Sequence, residues 1–289
     1  MDQSILRKRE EFRERMIQRL GANPCDYVEA LRFVDSHSND PEPWRIAGIL
    51  LPLYFQPGEG IPEGKEQGEY VFFLNKRSSR VQQGGDLCAP GGGIHLYLDW
   101  IIHKLLGTGM FPPGKGPGIE AAKKKGKETF GKILLFWGNA LRESWEEMKL
   151  NPWNVEFMGP LPTYRLKSRK WILFPLVGRV KEGWRPKLSW EVEKIIRIPL
   201  KSFYEEENYA LYSLRLPEKL MRKGIPDPWE FPCLTYRIGE EEEVLWGATY
   251  HVIRSFLKIM VDDPLPAPNS QRVIRKALPP NYFSGREGP

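Results

Sequence analysis

An α+β fold is predicted for this chain on three observations. Apolar residues recur at helical spacing near the N-terminus and again in "EVLWGATYHVIRSFLKIMV". Between them stand short apolar runs, "WRIAGILLPLYF" and "EYVFFLNKR" among them, with the length and composition of buried strands. Pro/Gly-rich stretches punctuate the order, and 289 residues can bury a substantial core.

Taken in order, Ile5, Phe12, Met16 and Leu20 alternate with charges and predict an amphipathic helix over 3–20 that ends at Gly21. Residues 1–40 are assigned to this helical extension, 41–262 to the main domain and 263–289 to a Pro-rich tail that lacks periodicity and reads as extended or disordered. Two buried strands follow the extension, and then "DLCAPGGG" (86–93), whose glycines let the backbone turn tightly and approach a bound group. Residues 95–132 open with a short helix, pass through Pro and Gly and end lysine-rich. With few apolar residues they read as an insertion rather than a domain. A helix is expected over 128–149, stopped by "NP". "VEFMGPLPTYRLKSRKWILFPLVGRV" reads as strand, basic turn and strand, and "EVEKIIRIPL" as a further strand. "GEEEEV" is read as helix capping and solubility, since negative charge favours a helix N-terminus.

Lys+Arg 43 against Asp+Glu 37 leaves a net charge of +6. The excess gathers in 100–132, where Lys104, Lys115, Lys123, Lys124, Lys125, Lys127 and Lys132 face only Glu120 and Glu128. Such a run attracts phosphates, an anionic membrane or nucleic acid, or is simply a solvated face. Cys25, Cys88 and Cys233 are odd in number, widely spaced and without CxxC, which argues against a disulfide framework or zinc ribbon and suits a reducing compartment. The start "MDQSILRKREEF" is charged where a signal peptide is apolar, and no apolar run reaches the roughly 18–20 residues that span a bilayer. A cytoplasmic protein is expected. "GMFPPGKG" begins like a phosphate-binding P-loop but lacks the Ser or Thr after the lysine. The four histidines have no metal-binding spacing.

The most informative stretch is "ALRESWEEMKL" (140–150). At about 100° per residue, Glu143, Glu146 and Glu147 share one helical face, and Glu143 and Glu147 form a destabilising like-charge pair. Such clusters also occur on exposed helices. Three convergent carboxylates, however, suit hard divalent cations.

The glycine-rich loop followed by "RESWEE" resembles the Nudix hydrolase signature, G-x5-E-x7-R-E-U-x-E-E-x-G-U with U apolar. "FLNKRSSRVQQGGDLCAPGG" is similar to the extended motif of the coenzyme A diphosphatase branch, and "FPLVGRV" and "LWGATYHVIRSF" to its later elements. The resemblance covers roughly residues 45–260. About 35 extra residues separate Gly92 from Arg142, so the insertion falls inside the signature. Asp99 is the acid nearest the place of its first glutamate, and Lys149 replaces its last glycine.

The resemblance implies a mixed β-sheet in an α/β/α sandwich and a Mg²⁺- or Mn²⁺-dependent pyrophosphatase. Glu143, Glu146 and Glu147 would be metal ligands with Gly92 contributing backbone, and Arg142 would be an orienting partner. Glu191 is the candidate base and Glu193 the fallback. Lys76, Arg77 and Arg80 would grip a substrate phosphate. The expected substrate is coenzyme A or an acyl-coenzyme A, split to a 4′-phosphopantetheine product and adenosine 3′,5′-bisphosphate. The alternatives are another dinucleotide such as NADH or ADP-ribose, or a non-catalytic ligand-binding protein. The partner is then a nucleotide-containing small molecule and not a nucleic acid. Docking of 95–132 on a membrane or a protein is a further expectation.

Overall fold

Strand β1 (Arg45–Pro57) sorts its side chains by parity. Ile49, Leu51, Leu53 and Phe55 enter one core, and Leu50 and Tyr54 enter another. Strand β2 (Gly68–Arg77) does the same, with Tyr70, Phe72 and Leu74 on the first side and Val71 and Phe73 on the second. A period-2 strand covered on both faces has to sort this way. The structure, a computed structural model, describes residues 3–58, 60, 67–215, 228–269, 271–278 and 282.

Strand β7 (Trp171–Val180) runs parallel to β1 from Arg45 to Tyr54. β5 (Val155–Pro160) and β6 (Tyr164–Leu166) lie antiparallel to β7, and β8 (Val192–Pro199) lies antiparallel to β2. On one face, α1 (Arg9–Ala22) and α6 (Gly247–Met260) contribute Phe12, Met16, Leu20, Phe256 and Met260. On the other, α2 (Tyr27–Ser36) and α5 (Lys127–Met148) contribute Tyr27, Phe136 and Trp137. This is the α/β/α layering with a mixed sheet that the resemblance implies. The N-terminal segment is a 3-10 turn, Gln3–Arg7, followed by α1. It belongs to the sandwich, and Arg13 of α1 and Arg179 of β7 both grip Glu156 of β5.

Residues 95–132 share the core of the sandwich. Helices α3 (Leu96–Gly107) and α4 (Pro117–Lys123) place Leu106, Ile119 and Ala122 in the core beneath α5, and Trp137 Nε1 donates to the Pro113 carbonyl at 2.9 Å. Within the lysine run, Lys125 donates to the carbonyls of Gly21 (2.8 Å) and Asn23, closing the C-terminal end of α1.

The acidic run is not a helix cap. Glu241–Trp246 is strand β11, antiparallel to β10 (Trp229–Ile238), and α6 starts only at Gly247. Glu243 is buried because strand alternation turns it inward, where Lys76 (3.0 Å) and Lys194 (2.9 Å) neutralise it.

The Pro-rich tail also carries structure. β12 (Val273–Ala277) pairs in parallel with β9 (Tyr209–Arg215), completing a second sheet in the order β11-β10-β9-β12. An open edge on β9 offers hydrogen bonds to any extended segment that reaches it. Tyr282 is buried and donates to Asp86, while residues 270, 279–281 and 283–289 lie outside the described part.

Candidate active site

Strands β1 and β2 pair only over Leu53–Pro57 and Gly68–Phe72, and beyond that they part. The segment "LCAPGGG" fills the fork. β3 (Leu87–Cys88) pairs with Asn75 and Lys76 of β2, and β4 (Gly91–Gly93) pairs with Ala47–Ile49 of β1. The C-terminal turns of α5 lie across this fork and carry "RESWEE".

Glu147 reaches furthest in. It is 8% exposed, accepts from Asn75 Nδ2 at 2.5 Å, and has the Gly91 N–H at 3.5 Å. Burial raises its pKa to about 7. The neighbouring Glu143 charge adds to that shift, while the Gly91 N–H, Arg77 and Asn75 oppose it. Glu143 lies against the Gly92 backbone, where a Cβ would stand 2.5 Å from its carboxylate, so only glycine leaves this room. Its pKa is also raised, chiefly by desolvation. Glu146 is half-exposed and turns to Arg142 Nη1 at 3.1 Å.

Arg142 is the organiser. Its Nε donates to Asp99 Oδ1 at 2.7 Å and its Nη2 to the Gly93 carbonyl at 3.1 Å, and Nη2 also stands 2.7 Å from Glu143 Oε1. Asp99, fully buried in the first turn of α3, also accepts from the His95 N–H (2.7 Å) and Asn139 Nδ2 (3.0 Å). A buried carboxylate with this many donors is well compensated. Asp99 thus holds Arg142 from the residues that interrupt the signature. Asn139 links four elements: its Oδ1 accepts from the Gly48 N–H (2.8 Å) and its Nδ2 also donates to the Gly93 carbonyl. Asn75 and Asn139 escaped the sequence analysis. The available signal was a polar residue within an apolar run, "VFFLNKR" and "LLFWGNAL".

The remaining sequence-predicted residues divide. Arg77 faces the site: Glu147 and Glu191 both act on its charge, and its Nε donates to the Gln82 carbonyl at 2.8 Å. Glu191 is brought to the rim by its backbone. Ser189 N–H donates to the Glu147 carbonyl (2.8 Å), and Ser78 N–H donates to the Glu191 carbonyl (2.8 Å). Lys76, one residue from Arg77 on a strand, points to the other side and pairs with Glu243, with Glu193 at 3.9 Å. Lys76 and Glu193 are therefore not brought to the carboxylates. Arg80 is exposed in the turn after β2.

Among the described residues, no three His, Cys, Asp or Glu side chains form a ready-made metal cage. Two observations nevertheless fit a hard cation. Glu143 and Glu147 are adjacent part-buried carboxylates that both resist ionisation, a cost that a divalent ion would relieve. Beside them, the buried Asn75 Oδ1 has no hydrogen-bond partner.

No family model matches the chain, and no curated protein matches it. Solved structures overlap it partially. A Caenorhabditis elegans Ap4A hydrolase binary complex is 15% identical, over 54% of this chain and 80% of that one, with a TM-score of 0.32. A NUDIX hydrolase from Alicyclobacillus acidocaldarius is 10% identical over 56% and 81%, with a TM-score of 0.34. The NUDIX domain of Shewanella oneidensis NrtR, complexed with ADP ribose, is 12% identical over 60% and 83%, with a TM-score of 0.30. Overlaps this partial assign neither a family nor a chemistry to the chain.

Proposed function

We propose that the chain is a Nudix pyrophosphatase that hydrolyses the phosphoanhydride of a nucleoside diphosphate linked to another group, with coenzyme A or an acyl-coenzyme A as substrate. The observation that carries this reading is the pair Glu143 and Glu147, set beneath the Gly91–Gly92 rim and held by Arg142, Asp99 and Asn75. Glu143 and Glu147 would hold Mg²⁺ or Mn²⁺, with Glu146 joining from the rim. When bound, such an ion neutralises phosphate charge and lowers the pKa of water. The chain's own contributions are positional. Arg142 fixes Glu143 through its planar fork. Arg77 offers positive charge to a phosphate beside the carboxylates, with Arg80 further out. Glu191 at the rim is the candidate to take a proton from water.

The test is product analysis on coenzyme A, NADH and ADP-ribose with Mg²⁺ or Mn²⁺, repeated for Glu147→Gln and Glu146→Gln. Turnover on coenzyme A, lost in both variants, is expected. Full turnover in both removes the metal assignment. The rival reading, a non-catalytic ligand-binding protein, draws support from Glu146 resting on Arg142 away from the other two carboxylates. It predicts ligand binding without turnover under any metal.

A further inference from the structure

Helix α3 leaves an unusual face in solvent. Leu96, Tyr97 and Trp100 are 86%, 68% and 52% exposed, and Met110, just beyond the helix, is 67% exposed. On a helix, positions 96, 97, 100 and 104 fall within an arc of about 100°, so the three apolar side chains and Lys104 form one ridge. The inward face of α3, with Asp99 and Leu106, is already occupied by α5 and the site.

Its charges are of one sign. Lys104 Nζ stands 5.5 Å from the Trp100 ring centroid. Lys132 of α5 acts on His103, and exposed Lys115 follows Gly114, which is seated against the Leu106 carbonyl. Asp99, the only acid in α3, is buried and bound to Arg142. The nearest exposed acids in sequence are paired elsewhere, Glu120 with Lys123 at 2.7 Å and Glu128 with Arg32 at 3.5 Å.

We infer that α3 docks the protein on an anionic lipid bilayer, with Leu96, Tyr97 and Trp100 entering the headgroup layer and Lys104, Lys115 and Lys132 meeting lipid phosphates. Leucine with Trp and Tyr beside lysine suits the boundary between acyl chains and headgroups: rings and leucine insert, and ammonium groups stay at phosphate level. Electrostatic complementarity, and not apolar area alone, selects an acidic lipid surface over a protein. No described helix is long and apolar enough to cross a membrane, so the attachment is peripheral and reversible. α3 begins three residues after Gly93, so docking holds the candidate active site at the lipid surface. The inference does not depend on that site's chemistry.

The test is co-sedimentation of the full chain with vesicles of phosphatidylcholine alone or with one third phosphatidylglycerol. Binding to the acidic vesicles only, weakening with added salt, is expected. The triple variant Leu96→Ser, Tyr97→Ser, Trp100→Ser should bind more weakly by about tenfold or more. Lys104→Glu, which reverses one charge, should weaken binding roughly tenfold. Both should keep the wild-type circular dichroism spectrum. Slowed hydrogen exchange over 96–110 in the vesicle-bound wild type checks the assignment without any substitution. The inference is overturned by wild-type chain that stays in the supernatant, by equal binding to neutral vesicles or by variants that bind as the wild type does. It is also overturned by a wild-type dimer that the triple variant splits, which would assign the ridge to a second copy.

Discussion

Glu147 shows what the site costs the fold. Its carboxyl has a pKa of about 7 in the folded chain against 4.5 in the ordinary case, so between those values the folded state binds the extra proton. Its contribution is therefore favourable below about pH 4.5 and is lost as pH rises through about 7. Glu147→Gln abolishes that penalty, and the partnerless Asn75 Oδ1 can turn to receive the new amide. At pH 8 without metal the variant should be more stable than the wild type, by on the order of 2–3 kcal/mol. The two should converge near pH 4.5 in calorimetry, and Mg²⁺ should raise the melting temperature of the wild type only. Lys149 is a second residue-scale case. It ends α5 in the left-handed region (φ 54°), where the resembled signature has glycine, and Trp145 and Ser144 accept from the N–H groups of Lys149 and Leu150. The lysine ammonium over the Trp145 ring offsets part of the strain. Lys149→Gly should stabilise the chain by about 1 kcal/mol, read as a denaturant midpoint shift at unchanged slope.

Elements meet at one polar junction, where Asn139 of α5, Asp99 of α3, Gly48 of β1 and Gly93 of β4 share hydrogen bonds. The sequence made the α5 boundaries legible to within one residue, because its periodic run ends just before the "NP" stop. It also showed a short helix in the residues after β4, but not that its single acid anchors Arg142. Asp99→Asn should destabilise the fold by about 3–5 kcal/mol, since it leaves the Arg142 guanidinium without its buried partner. The same variant frees Arg142 to lean on Glu143. A raised Mg²⁺ requirement is therefore expected in titration calorimetry, an effect that a purely structural loss would not produce.

Across the whole molecule, the two sheets are tied by Lys76 and Lys194 to Glu243. Glu243→Ala should lower stability by about 3 kcal/mol, because two lysines at the junction lose their common partner. Turnover of the folded fraction should be unchanged, since Lys76 serves this junction and not the carboxylates. A change in KM for the phosphorylated substrate would instead return Lys76 to the binding machinery. The second sheet was the least legible part of the fold. β12 joins β9 from about 60 residues further along the chain, and no local pattern marks that pairing.

Local composition and periodicity, which depend only on neighbours along the chain, were enough to mark β1 and β2 as buried strands and to determine the extent of α5 and the shared face of Glu143, Glu146 and Glu147. Tertiary structure alone decided which of these charges turn inward. The parting of β1 and β2 opens a place for Glu147 against Asn75 and Gly91, while Arg142 draws Glu146 outward. The same packing pairs Lys76 with Glu243 and converts an acidic run into a strand. Burial and charge pairing depend on what arrives from distant segments, and that arrival is not written in spacing.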